Sequence, residues 1–138
     1  MALIVDTSVV FASIDRSDRD YARCRALLEE SSEALTLPSP VLPEIDYLVG
    51  RNVGRGVMVQ LLRNIELGAL QVVDLTAADY QRVAELVDRY ADLGVGFVDA
   101  AVLAVTEGMG EPKLATLDHR HFSIMRPRHV DALQLLPA

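Results

Sequence analysis

The sequence predicts an α/β fold: a parallel sheet of four to five short strands with helices on both faces. Three observations carry that prediction. Short apolar runs alternate with stretches of helical periodicity along the whole chain. The first run, Ala2 to Val5, is apolar throughout and reads as a buried strand. The segments between successive runs are long enough for the right-handed crossovers that parallel neighbours need.

The elements follow in order. After Ala2 to Val5, Asp6 stops the run, Thr7 and Ser8 offer helix N-cap chemistry, and Val9 to Ile14 reads as a short helix. Asp18 to Glu30 is a second helix, with Tyr21, Cys24, Leu27 and Leu28 spaced for one face. Ala34 to Leu37 is a weak strand closed by Pro38. Pro40 to Arg51 and Val57 to Leu67 are helical, the latter stopped by Gly68. Leu70 to Leu75 is a strand. Thr76 with Asp79 resembles a capping box opening a helix that carries Tyr80, Val83, Ala84 and Val87 on one face. Phe97 to Met109 is apolar almost all round and should be buried. Lys113 to Leu117 is a strand ending at Asp118, and Leu133 to Leu136 is a last short strand.

Composition sets outer bounds. The 138 residues, 51% hydrophobic and 24% charged, fit one globular domain over 1–138. The longest unbroken apolar run, Ala100 to Val105, falls far short of the ~20 residues of a membrane span. Met1 to Val5 is too short for an export signal, lacks a basic leader, and is cut off by Asp6. A single cysteine, Cys24, cannot form an internal disulfide, so a cytoplasmic protein with a reduced core thiol is expected. The 13 basic residues against 20 acidic ones leave a net charge of −7. That balance argues against a sequence-independent DNA coat, whose affinity comes from neutralising phosphates. It leaves open an enzyme acting on nucleic acid, because metal ions can neutralise a local acid cluster.

Four acids sit where acids are usually absent. Asp6 ends the first strand and Asp118 the fourth, Asp99 is the only charge between Phe97 and Thr106, and Glu44 lies in an amphipathic helix. In an open parallel sheet, function gathers beyond the carboxyl ends of the strands. Each acid taken alone has an ordinary reading as a turn former, a cap, a first-turn residue or a solvated helix residue. Together they are costly. Two unit charges ~4 Å apart repel by about 4 kcal/mol at an effective dielectric near 20. Such a cluster must protonate, pair with cations or hold a metal. No clustered arginine or lysine is evident at these strand ends. All-oxygen ligands suit magnesium or manganese, and no Cys/His spacing suggests zinc. Helix geometry leaves Glu44 and Asp46 open as alternatives, since they flank the apolar arc of Val41, Leu42, Ile45, Leu48 and Val49 on opposite sides.

Asp6-Thr7-Ser8 after a strand, Pro43-Glu44-Ile45 opening a helix, Phe97-Val98-Asp99-Ala100 and Thr116-Leu117-Asp118 occur in the order seen in PIN-domain nucleases. Tyr90 to Ala104, with Thr116 to Phe122, looks especially like the VapC toxins of toxin–antitoxin pairs. The resemblance spans essentially the whole chain and implies a PIN-like three-layer fold. It also implies a magnesium- or manganese-dependent endoribonuclease that cuts structured RNA, a small cognate antitoxin, and self-association as a homodimer. Family roles fall on Asp6, Glu44, Asp99 and Asp118, with Asp6, Asp99 and Asp118 holding the ion directly or through water. The resemblance selects Glu44 over Asp46, because the family's acid opens this helix just after a proline-containing turn. Ser8 and Thr116 are nearby hydroxyls that either orient a ligand or satisfy backbone.

Other features carry less. Asp92 looks family-like but reads as a turn former. His119 and His121, flanking Arg120, read as surface histidines in a turn, and Arg126 and Arg128 as a local basic edge. Gly54-Arg55-Gly56 and Gly94-Val95-Gly96 lack phosphate-loop spacing. An aspartate-nucleophile phosphatase would need an acid where Ser8 stands. A phosphoacceptor domain would need a lysine after a late strand, whereas Lys113 begins one. A catalytically idle PIN-like domain that only binds a partner is the alternative function, and the presence of all four acids argues against it.

Overall fold

The computed structural model describes residues 1–138. The chain runs β1 (Ala2–Val5), α1 (Thr7–Ile14), α2 (Tyr21–Glu30), β2 (Ala34–Pro38), α3 (Val41–Asn52), α4 (Arg55–Glu66), β3 (Gln71–Val73) and α5 (Ala77–Arg89). A single 3-10 turn (Ala91–Leu93) leads into α6 (Phe97–Gly108), β4 (Lys113–Ala115), α7 (His119–Ile124) and β5 (Gln134–Leu136).

The five strands form one sheet in the order β3-β2-β1-β4-β5, and every neighbouring pair is parallel. Ile4 of β1 pairs with Thr36 on one side and Leu114 on the other. All four β1 residues are buried. Successive strand residues point to opposite faces, so both faces of the central strand are covered. Helices α1 to α4 pack among themselves, and α6 packs against α5 and α7. From β1 the chain winds outward through β2 to β3, then crosses back to β4 and β5. The winding direction reverses between β1 and β4, so a crevice opens at their carboxyl ends.

Helix α6 supplies much of the core. Ala100 to Thr106 are buried without a break, and Thr106 satisfies its hydroxyl by donating to the Val102 carbonyl at 2.7 Å. Helix α4 stops at Gly68, whose φ of 84° lies in the left-handed region that an L side chain resists. The Thr76–Asp79 capping box that opens α5 is present in full. Cys24 is buried in the core.

Several local expectations are corrected. Helix α1 begins at Thr7, with Asp6 as its N-cap, because the Thr7 and Ser8 hydroxyls are engaged elsewhere. Helix α2 begins at Tyr21, since the Asp18 carboxylate accepts from the Asp20 amide at 2.8 Å and holds that stretch in a turn. β3 and β4 are only three residues each. β4 ends early because the Asp118 amide donates to the Thr116 hydroxyl at 3.0 Å and turns the chain away. On α5 the buried residues are Arg82, Val83 and Leu86, whereas Tyr80 and Ala84 are exposed. The periodicity argument missed a rotation of about a quarter turn because Arg82 is buried as one half of an ion pair.

Candidate active site

The switch-point crevice is where the acids gather. Asp6 follows β1 directly, and its backbone amide donates to the Ala115 carbonyl at 2.9 Å, which extends the β1–β4 ladder to the crevice floor. Its side chain is 3% exposed and fully occupied on one side. Oδ2 accepts from the Thr116 hydroxyl at 2.8 Å and the Ser8 hydroxyl at 3.2 Å, and Oδ1 accepts from the Thr7 amide at 2.8 Å. A carboxylate oxygen has two lone pairs, so Asp6 retains one free acceptor position on Oδ1. Ser8 in turn accepts from the Leu117 amide at 2.9 Å. Ser8 and Thr116 satisfy the backbone after β4, as one of the two readings had it, and they also donate to the Asp6 carboxylate.

Asp99 lies in the first turn of α6, and Asp118 is the N-cap of α7, accepting from the His121 amide at 3.1 Å. The capping and first-turn readings of these acids hold, and the same geometry aims both carboxylates at one point. His121 Nδ1 sits 3.0 Å from Asp99 Oδ2 and 2.9 Å from Asp118 Oδ2. Ligand atoms of Asp99, Asp118 and His121 all lie within 4.8 Å of one another.

Glu44, in the first turn of α3, reaches the site from the other side. Its Oε1 accepts from the Thr7 hydroxyl at 2.7 Å, and its charge acts on Asp99. Asp46 is exposed and makes no such contact. The helix is thus rotated to bring Glu44, not Asp46, toward the other acids.

The electrostatics record the crowding. Burial pushes the Asp6 carboxyl up to about 6, with the Asp99 charge adding to the rise and the Thr116, Thr7 and Ser8 bonds opposing it. Burial also raises Asp99, followed by the charges of Asp118 and Glu44, with His121 opposing. For His121, burial acts to lower the value, but the charges and bonds of Asp118 and Asp99 outweigh it and hold it above the ordinary imidazole range. No arginine or lysine is paired with any of the four acids; His121 is the one cation-capable partner. An oxygen-rich, mutually repelling donor set at a half-exposed rim fits a hard divalent cation. Asp99, Asp118 and His121 come together closely, while Asp6 and Glu44 flank them.

The remaining candidates lie apart. Asp92 is exposed in the 3-10 turn. His119 bonds the Thr116 carbonyl through Nε2 at 3.1 Å, and Arg120 is exposed. The expected basic edge is weaker than its residues suggest, because the Arg128 guanidinium is paired with Glu85. His121 is not a free surface histidine in a turn: it stands at the third position of α7, over the carboxylate of its own N-cap. A cap three residues ahead of a histidine is a signal the sequence carried, because N-cap and third-position side chains meet.

A parallel α/β sheet with its acids at the β1/β4 crevice defines the PIN-domain class, and residues 3–126 match the PIN domain family model. Over 125 residues the chain is 34% identical to Ribonuclease VapC26 of Mycobacterium tuberculosis, covering 91% of this chain and 93% of that one. The chain belongs to the VapC ribonucleases of the PIN-domain family. Among solved structures, VapC20 of M. tuberculosis, described as a sarcin-ricin loop cleaving toxin, superposes with a TM-score of 0.79 at 25% identity, covering 94% of this chain and 98% of that one. VapBC2 of Rickettsia felis, bound to a DNA fragment from its promoter, superposes with a TM-score of 0.67. At 20% identity, over 98% of this chain and 97% of that one, it speaks for the fold alone.

Proposed function

We propose that this protein is the toxin of a toxin–antitoxin pair and cuts structured RNA by metal-assisted phosphodiester hydrolysis, with magnesium or manganese as the cation. The observation that carries the reading is the convergence of Asp99 and Asp118 beside the buried Asp6, with no lysine or arginine to neutralise them. Asp99 and Asp118 hold the cation, and Asp6 addresses it through the one acceptor position left on Oδ1. Glu44, fixed at one oxygen by Thr7, keeps its other oxygen for a water molecule and orients it. When bound, the divalent ion supplies a water of lowered pKa, a polarised phosphate and a stabilised leaving oxygen. Ser8 and Thr116 hold Asp6 in place, which keeps the geometry fixed as charge develops.

The test is to incubate the purified protein with total RNA, with and without magnesium or manganese, and map the cut ends. Discrete metal-dependent cuts are expected. Their absence, with metal bound, would favour the idle partner-binding domain.

A free ribonuclease harms its own cell, so the reading includes a small antitoxin that masks it in the cytoplasm. The kinship with VapC ribonucleases, whose resemblance implies a toxin–antitoxin pair, supports such a partner. No helix is long and apolar enough to cross a membrane. An open apolar groove of about 570 Å³ among α1, α2 and α4, floored by β2 and lined by Val10, Ile14, Leu28, Leu35, Val57 and Leu61, is the docking surface we favour. Exposed apolar side chains on α3 and α4, among them Tyr47, Val59 and Leu62, are candidates for self-association into a homodimer. Expression of the protein alone should slow growth, and co-expression with the adjacent small gene should restore it. Normal growth at high soluble expression would count against the toxin reading.

A further inference from the structure

The three donors at the crevice rim are not all oxygen. Asp99 Oδ2 and Asp118 Oδ2 face the same imidazole nitrogen, Nδ1 of His121, at 3.0 and 2.9 Å. One nitrogen can carry only one proton, so it cannot satisfy both carboxylates equally. The spacing has another meaning. Adjacent ligands of an octahedral ion with bonds of about 2.1 Å stand about 3.0 Å apart along the octahedron's edge. Both nitrogen–oxygen separations fit that length as well as that of a hydrogen bond, and the three ligand atoms all lie within 4.8 Å of one another. The three side chains are 21%, 25% and 33% exposed for His121, Asp99 and Asp118, so an ion on this triad keeps open positions for water and a phosphate oxygen. His121 is held there by the fold: it lies at the third position of α7, whose first turn is anchored by Asp118.

We propose that His121 is a nitrogen ligand of the cation through Nδ1, together with Asp99 and Asp118, and that this nitrogen biases the site toward manganese over magnesium. The inference rests on the metal-site reading above and sharpens its choice of ion. Magnesium takes oxygen ligands and dehydrates reluctantly, whereas manganese, which also favours oxygen, opens the transition series and admits an imidazole nitrogen more readily than magnesium does. Nitrogen in the set therefore costs magnesium more than manganese.

The direct measurement uses the full chain loaded with manganese alone and read by pulsed electron spin resonance. A histidine ligand gives nitrogen modulation of the manganese signal. Wild type should show it, His121→Ala should lose it, and His119→Ala should keep it. Calorimetry supplies the second readout: His121→Ala should weaken manganese binding about tenfold, the low end of what disturbing a ligand shell costs, and magnesium binding less. Manganese bound without nitrogen modulation would overturn the proposal while leaving the acidic site intact. So would unchanged or tighter manganese binding by His121→Ala, which would show the imidazole to be a competitor for the cation's seat. Binding of magnesium but not manganese by wild type would overturn this inference alone, and binding of neither would overturn the metal-site reading with it.

Discussion

Two of the regions that bury charge resolve it in opposite ways. Between α5 and α6, Arg82 and Glu107 have side chains only 10% and 8% exposed, joined by bonds of 2.8 and 3.0 Å in a two-pronged pair. Arg82 also donates to the Arg126 carbonyl, and Glu107 accepts from the Arg128 amide. Each charge has its partner within the chain. At the β1/β4 crevice, His121 is the one cation-capable partner and meets only Asp99 and Asp118, while Asp6 and Glu44 have neutral hydroxyl and amide donors. The first region is complete as folded and fastens the segment after α7 to the α5–α6 pair. The second leaves its acids without a matching cation in the chain, and on the function proposed above that unmet charge is what binds the metal. Buried charge marks function here where its compensation has been left to something outside the chain.

The sharpest break between the two regions should come from Asp99→Asn. Size and helix position are preserved, so the fold should survive while RNA cleavage falls by about ten-thousandfold or more, roughly 5 kcal/mol of barrier. Cleavage at the wild-type rate would remove Asp99 from the mechanism. The converse experiment is Arg82→Met, which strands Glu107 as an unpaired buried carboxylate. A loss of about 3–5 kcal/mol in urea unfolding is expected, with the activity per folded molecule retained. A fall in activity without a fall in stability would mean that the two regions are not separable.

The two regions also differ in their response to acid. Asp6 in the folded protein titrates near 6, above its ordinary 3.8, so the folded state holds this proton more tightly than the unfolded chain. Without metal, stability should therefore rise as pH falls through 6 toward 4, by up to about 3 kcal/mol from this group. The raised Asp99 and His121 values act in the same direction. Urea midpoints at pH 7.5 and 5.5 would read the effect. Saturating manganese should flatten or reverse it, because a bound cation favours the ionised acids. A metal-free protein that loses stability over this window would refute the reading that burial, aided by the Asp99 charge, favours a protonated Asp6 in the folded state.

The smallest contrast is between neighbours on α3. Glu44→Gln should lose most activity, at least about tenfold, or ~1.4 kcal/mol, and weaken metal binding. Asp46→Asn removes the same charge and should be nearly silent. Paired metal titrations of the two variants check the ranking; the reverse order would place the flanking acid on the other side of the helix.

The crevice was far more legible in the sequence than the ion pair, and the reason is local. Asp6 interrupts an apolar strand and Asp99 an apolar helix, so each violates the pattern around it. Arg82 violates nothing: an arginine on an amphipathic helix looks solvated until Glu107, 25 residues on, is brought beside it. That hidden pair is also why the buried face of α5 was misjudged. His121 fell between these cases. Its partner Asp118 was visible, but its position depends on a six-residue helix that Asp118 caps, and periodicity cannot resolve an element so short. The helix boundaries at α1 and α2 were displaced for a related reason, since aspartate, serine and threonine can cap, turn or bridge, and only tertiary contacts decide which.

The hydroxyl seam across Asp6 has a consequence for how the protein comes into being. The Thr116–Asp6 bond joins positions 110 residues apart, and Ser8 meets the Leu117 amide across a similar span. Closing so large a loop costs entropy before any contact repays it, and structure that depends on distant pairings forms slowly. The crevice therefore exists only once the first and fourth strands have found each other, however many helices have already formed. A chain caught partway through folding carries all four acids and yet has no floor on which to assemble them.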